Sequence, residues 1–195
     1  YAHNEGHPSP IAYYDDLLAE IVRRGLTDVL LWGHSSGTAT AVATARALEA
    51  RGVRVRRVFL GAQLLGDADR RRAAIAELAE QTDSDIAARL AAAGGYTALD
   101  ELDVQRAGQV GAAYRHDCLS AHRHFLGALD NPSAPKLAAP ITVVAAADDP
   151  STADVAQRHR EWRLLADQVD LHVLADGGHY FLRTRPAEAA AAVLH

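Results

Sequence analysis

Hydrophobic and polar positions follow two rhythms along this chain, one suited to short buried strands and one to amphipathic helices. Between Ile11 and Arg24 the apolar residues Leu17, Leu18, Ile21 and Val22 recur at helical spacing and stop at Gly25, which predicts a helix. Asp28-Val29-Leu30-Leu31-Trp32 is too short and too uniformly apolar for a helix, and predicts a strand buried on both faces. Ser36 to Ala50 is Ala-rich, carries Val42 and Leu48, and ends at Arg51-Gly52, a helix with a glycine stop. Val53 to Leu60 returns to β-branched and aromatic residues before Gly61. Strand, helix and strand in this order predict a parallel, right-handed unit.

The rhythm then changes. From Asp67 to about Ala134 the segments Arg70 to Gln81, Ile86 to Ala93 and Val104 to Leu129 are charged, Ala-rich and helical, with no strand-like run. This predicts a helical insertion over about 67–134, closed by the boundary Asn131-Pro132-Ser133-Ala134-Pro135. Pro140 to Ala146 predicts a strand, Thr152 to Asp167 a helix, Val169 to Leu174 a strand, and Pro186 to Leu194 a closing helix. The expected class is α/β: one domain over 1–195, with a mostly parallel sheet flanked by helices and interrupted by the insertion. No internal repeat or low-complexity linker breaks this pattern.

Composition narrows the function classes. The 195 residues fit one domain, and a hydrophobic content of 49% with 23% charged residues fits a folded chain. A net charge of -5 offers no field to gather phosphates, so nucleic acid is not an expected partner. The arginine runs Arg54 to Arg57 and Arg70 to Arg72 read as solvated faces, with local docking patches as the alternative. Cys118 stands alone, which excludes an intrachain disulfide and fits a reducing cytoplasm. No apolar run reaches the ~18 to 20 residues that span a bilayer, so no membrane is expected. The start Tyr1-Ala2-His3-Asn4-Glu5-Gly6 lacks the cationic and apolar parts of a signal peptide, and the absence of Met at position 1 predicts further residues upstream.

The candidate chemistry sits where the first predicted strand meets the second predicted helix. Gly33-His34-Ser35-Ser36-Gly37 matches Gly-x-Ser-x-Gly, a weak pattern alone but here placed on a strand-to-helix turn that lifts Ser35 above the sheet edge. Gly33 and Gly37 are both expected to make room for close strand–helix approach, and the backbone N–H of Ser36 to face a developing oxyanion. A serine hydroxyl needs a base. His179, in Asp176-Gly177-Gly178-His179-Tyr180-Phe181 after the last predicted strand, is the expected one, whereas His34 leaves the turn in another direction and reads as packing beneath it. The acid that orients the base is expected in Ala146-Ala147-Asp148-Asp149-Pro150. Asp149 is favoured and Asp148 is the alternative, the rejected one capping the next turn. The chain order Ser35, Asp149, His179 is that of α/β-hydrolases rather than of serine proteases. His116, His122 and His124 form a competing cluster, but residues two apart on a helix do not share a face, so no metal site is expected.

In these segments the chain resembles the thioesterase branch of the α/β-hydrolases that serves nonribosomal peptide and polyketide synthases, as terminal domains or as free-standing type II enzymes. The resemblance is carried by Leu31 to Gly37, Ala45 to Gly52, Ala146 to Pro150 and Gly177 to Leu182, and more loosely by Tyr114-Arg115-His116-Asp117. It implies cleavage of an acyl or peptidyl thioester from the phosphopantetheine arm of a carrier protein, with no cofactor of the enzyme's own, and release by hydrolysis or cyclisation. The insertion would then be a lid over the acyl channel. Terminal members often place the acid after the strand that follows the nucleophile helix, where this chain has Gly61-Ala62-Gln63; the later Asp148 and Asp149 fit the editing type. Family members carry strands ahead of the first helix, one supplying a second oxyanion donor, so these are expected upstream of the sequence given. A small-molecule carboxylesterase and a catalytically silent carrier-binding domain are the competing readings.

Overall fold

The computed structural model describes residues 10–92 and 104–194; the segment Tyr1 to Gly6 and the residues around Pro8-Ser9 lie outside them, as does 93–103. The described chain divides into two compact units, with the divisions after Leu65 and after Pro132: one holds residues 10–65 and 133–194, the other the described residues of Gly66–Pro132.

The first unit holds a four-stranded sheet in the order β1-β2-β3-β4, from β1 (Asp28–His34), β2 (Arg54–Gly61), β3 (Ile141–Ala146) and β4 (Val169–Leu174). Every pairing is parallel. Helix α1 (Pro10–Arg23) buries Leu18 and Ile21 while leaving Leu17 and Val22 exposed, and α2 (Gly37–Glu49) packs on β1 and β2. The register explains the layering. Gly33 is paired with Leu60 and Trp32 with Phe59, so strand alternation puts the first pair on the face covered by α2 and the second on the opposite face. On that opposite face Phe59, Val144, Ala146 and Leu174 gather with Phe181, Ala189 and Ala192 from α7 (Phe181–Thr184) and α8 (Pro186–Leu194), and Trp32 packs against them.

Three expectations for this unit are corrected. Strand β1 is not buried on both faces: it pairs only with β2 among the described residues, and Leu30 is 45% exposed, whereas every residue of β3 is buried. Thr152 to Asp167 is not one helix. A 3-10 turn at Pro150–Thr152, a left-handed Asp154 (φ 63°), a single α-turn α6 (Val155–Arg158) and a second 3-10 turn at His159–Leu164 replace it. Val155, Trp162 and Leu165 are each buried along this broken path, and burial of such side chains overrides the helical propensity of the sequence. The third concerns the elbow glycines. A methyl group on Gly33 would stand 2.5 Å from Gly37 O and 2.7 Å from Thr38 Cα, so α2 can approach β1 only over a glycine. Gly37 faces open space.

The second unit contains α3 (Ala68–Glu80), α4 (Asp83–Ala92) and α5 (Val104–Asp130), with α5 packed against both others. Its core is Leu78, Ile86 and Leu90, flanked by Val110, Tyr114, Cys118 and Leu119. Asp67 caps α3 by accepting from the Arg70 N–H at 2.8 Å. Thr82 and Asp85 cap α4 reciprocally, the Asp85 N–H donating to the Thr82 hydroxyl and the Thr82 N–H to the Asp85 carboxylate, both at 3.1 Å. Gly111 lets the start of α4 touch α5, since a methyl there would lie 1.9 Å from Asp83 O.

In the arginine runs Arg54, Arg56, Arg70 and Arg72 are exposed as expected, and two members depart from that reading. Arg57 donates to Thr142 and Asp170, both at 2.6 Å, and Arg71 is buried with its guanidinium 4.8 Å from the Phe125 ring. Burial, reinforced by the charge of Arg71 beside it, pushes the His122 pKa down to about 4. No described helix is long and apolar enough to cross a membrane.

Candidate active site

The carboxyl ends of β1, β3 and β4 meet at one edge of the sheet, and the residues that follow them supply the site. Ser35 follows β1 in the left-handed region, with φ 52°. That is a costly conformation for a residue with a Cβ, of order 1 to 3 kcal/mol, and it is held by neighbours on both sides. The Ser35 N–H donates to Gly61 O at 2.8 Å, and the Ser35 carbonyl accepts from the Thr38 N–H at 3.1 Å and the Thr38 hydroxyl at 2.6 Å. Ser36 stands immediately before α2, so its N–H belongs to the helix start, where no intrahelical acceptor exists.

His179 follows β4 on a loop bent by Gly177 (φ 123°) and Gly178 (φ 62°). Its ring joins the other two elements. Nε2 lies 3.0 Å from Ser35 Oγ, and Nδ1 lies 3.1 Å from Asp149 Oδ2. A carboxylate only accepts, so Nδ1 carries the proton and Nε2 is left to accept from the serine hydroxyl. The structure therefore brings Ser35, His179 and Asp149 into one hydrogen-bonded series. Asp149 is 3% exposed, whereas the His179 side chain keeps 27% of its surface open. Burial pushes the Asp149 carboxyl up, but the hydrogen bonds from His179 and from the hydroxyl and N–H of Ser151 outweigh it and leave the group below its ordinary range.

The two adjacent aspartates divide the work differently from the expectation. It is Asp149, not Asp148, that caps the next turn: its Oδ1 accepts from Ser151 N at 2.9 Å and Ser151 Oγ at 2.7 Å while Oδ2 faces His179. Asp148 turns toward the histidine loop and accepts from the Gly178 N–H at 2.8 Å, which pulls its carboxyl below the ordinary range. The geometry of a carboxylate, two oxygens with separate directions, lets one residue do both tasks.

Two participants escaped sequence reasoning. Ser151 Oγ lies 3.0 Å from His179 Nδ1, so the imidazole N–H is shared between a carboxylate and a hydroxyl. The signal was present in Asp149-Pro150-Ser151, an aspartate two residues before a serine, which is an Asx-type turn. His34 does more than pack: its Nε2 donates to His179 O at 2.8 Å. Its ring sits edge-on to Phe181 at 5.0 Å, above Gly61, where a methyl would come within 2.8 Å of Nδ1. Of the insertion histidines, His122 Nδ1 lies 3.1 Å from an Arg71 guanidinium nitrogen. Among the described residues no group of three metal-ligating side chains comes together.

A sequence model of the alpha/beta hydrolase family matches residues 2–193. The chain belongs to that family. The parallel sheet flanked by helices is that of an α/β-hydrolase. Among solved structures it is similar to BorB, the type II thioesterase from the borrelidin biosynthetic cluster, at 20% identity and a TM-score of 0.65, over 94% of this chain and 71% of that one. It is also similar to YbtT, a type II thioesterase from the yersiniabactin NRPS/PKS pathway, at 22% identity and a TM-score of 0.63, over 94% and 72%. A third is RedJ, a thioesterase from the prodiginine pathway in Streptomyces coelicolor, at 23% identity and a TM-score of 0.59, over 93% and 65%. At these identities the likeness speaks for the fold. No curated protein matches the chain.

Proposed function

We propose that this α/β-hydrolase is a thioesterase that cleaves acyl or peptidyl chains from the phosphopantetheine thiol of a carrier protein, by way of an acyl-Ser35 intermediate. The observation that carries the reading is the continuous series from Ser35 Oγ through the His179 ring to the buried Asp149 carboxylate, at 3.0 and 3.1 Å. His179 Nε2 takes the hydroxyl proton as Ser35 Oγ attacks the thioester carbonyl, and Asp149 and Ser151 stabilise the imidazolium through Nδ1–H. The Ser36 N–H, at the positive end of α2, donates to the oxyanion. Collapse breaks the C–S bond, and the proton on Nε2 passes to the leaving thiolate. Water, or a nucleophile within the acyl chain, then repeats the attack on acyl-Ser35 with His179 again as base. The route asks for no resident metal or cofactor, since the pantetheine arrives with the partner.

The choice of a thioester is supported by the sequence resemblance and by the type II thioesterases among the structural neighbours. The late position of Asp149, with Gly61-Ala62-Gln63 at the earlier position, supports the editing type. Comparing kcat/KM for an acyl-carrier-protein thioester with that for p-nitrophenyl esters tests it. Faster turnover of the thioester and dependence on the carrier are expected; ester preference with indifference to the carrier would make it a carboxylesterase. A folded protein whose Ser35 resists a fluorophosphonate probe would instead be a binding domain.

A further inference from the structure

Side-chain contacts at the tip of the His179 ring cannot by themselves fix where the ring stands, because the loop that carries it contains two glycines in the left-handed region. The Thr184 hydroxyl holds the Gly177 carbonyl at 2.8 Å from within the same segment, and residues after β1 and β3 hold the main chain nearer the ring. His34 donates from Nε2 to the His179 carbonyl at 2.8 Å, and Asp148 Oδ1 accepts from the Gly178 N–H at 2.8 Å. Each gripping residue immediately precedes one that meets the ring: His34 precedes Ser35, and Asp148 precedes Asp149.

The arrangement follows from strand geometry. Trp32 and His34 are two apart on β1, so both point to the face on which Phe181 is buried, while Ser35 leaves the strand at the turn. There the His34 ring lies 5.0 Å from Phe181, over the bare Cα of Gly61, and its Nδ1 is buried without a hydrogen-bond partner among the described residues. Burial disfavours the charged ring. A neutral ring has one N–H, and His34 Nε2 directs it to the His179 carbonyl at 2.8 Å. After β3 the same division appears in another form, with Asp148 meeting the loop backbone at Gly178 and Asp149 meeting the His179 ring.

We propose that His34 and Asp148 are positioning residues for the base: by holding the His179 carbonyl and the Gly178 amide they set the ring relative to Ser35 and Asp149, and act on kcat rather than on substrate affinity. This rests on the reading of Ser35 as nucleophile. Neither group touches a reacting atom, so each works only through His179.

The test pairs a removing and a conserving change at each position. His34→Ala removes the donor and His34→Gln retains an N–H at similar reach; Asp148→Ala removes the acceptor and Asp148→Asn retains a carbonyl. On acyl-carrier-protein thioester, the two alanine variants are expected to lower kcat on the order of 10- to 100-fold with KM within about twofold, and the conserving variants to stay within about threefold of the parent. In a His179→Ala background the same alanine changes should leave the residual rate within about twofold. The Gly178 amide should exchange slowly in the parent and in Asp148→Asn, and faster in Asp148→Ala. Equal losses in the alanine and conserving variants, losses that persist without His179, or an unprotected Gly178 amide in the parent would overturn the proposal. If His34→Ala does not fold, His34→Gln and the Asp148 pair decide. A parent protein whose Ser35 fails to react with a fluorophosphonate removes the acyl-transfer reading alone, because Gly178 exchange still judges the grip.

Discussion

The two units of this molecule are stabilised by different means, and they place their ionisable groups to different ends. In the sheet unit, three ionisable side chains gather beyond the carboxyl ends of β3 and β4 and are held there: His179 by Asp149, and Asp148 by the Gly178 amide. In the helical unit they are used for packing and capping, as in Arg71 against Phe125 and His122, Thr82 with Asp85, and Arg115 with Asp83 at 2.7 Å. A charge near the edge of a parallel sheet is held by residues from three separate segments, so its direction is fixed. A charge on a helix is held mostly by neighbours within one or two helices, so its loss is felt as stability.

That contrast can be broken by substitution, beginning with the largest effect. Ser35→Ala is expected to abolish turnover and fluorophosphonate labelling, a loss of at least about 10³-fold, while the melting temperature stays level or rises, since Ala has no hydroxyl to place. A residual rate near the parent's would remove Ser35 from the chemistry. Asp149→Asn is expected to cut kcat by about 10³- to 10⁴-fold because the imidazole tautomer is no longer held, whereas Asp148→Asn stays within a few-fold. Steady-state kinetics on both variants decides between them, and equal or reversed losses would refute Asp149 as the acid.

Stability measurements sharpen the comparison further. Gly33→Ala places a methyl 2.5 Å from Gly37 O, against backbone that cannot yield, and should destabilise the sheet unit by about 3 kcal/mol or prevent folding. Gly37→Ala meets nothing and should be neutral or stabilising by up to about 1 kcal/mol, read from urea unfolding midpoints. If both glycines prove equally intolerant, close approach is not what the first one provides.

The smallest effect concerns pH. His122 titrates at about 4 in the folded unit against 6.5 when unfolded, so below pH 6.5 the unfolded chain takes up a proton that the folded one refuses. The contribution of His122 to the stability of the helical unit should therefore be level above pH 6.5 and fall through the window from 6.5 to about 4, at no more than about 1.4 kcal/mol per pH unit. His34, whose pKa burial also lowers, slopes the same way in the sheet unit, so hydrogen exchange at α5 amides is the measurement that separates them. The slope at α5 should disappear in His122→Gln, and a slope that survives that change would assign it elsewhere.

Much of the sheet unit was legible in the sequence because its signals are local. A strand at Val169–Leu174, a helix at Pro186–Leu194, and a serine between two glycines at a strand-to-helix turn each declare themselves within a few residues. The three residues that meet at the sheet edge could be proposed from chain order and from their position after strands. What stayed hidden has a common character. The second role of His34, the sharing of His179 Nδ1 by Ser151 and the burial of Arg71 all depend on partners 28 to 145 positions away or on a neighbouring helix, beyond any periodicity. Gly37 shows the opposite failure, a motif position credited with a spatial task that its neighbour Gly33 performs alone.

The sequence by itself determined the alternation of strands and helices, the helical character of 67–134, the turn at Ser35 and the candidate base, since backbone preference and hydrophobic period act over short range. The tertiary structure decided which of two adjacent aspartates meets the imidazole, that β1 stands at the edge of the described sheet, and that residues 150–167 break into turns. Those outcomes are set by packing between distant segments. A side chain's direction at the end of a strand costs little locally, and it is chosen by whichever long-range contact, hydrogen bond or buried ring gains the most from it.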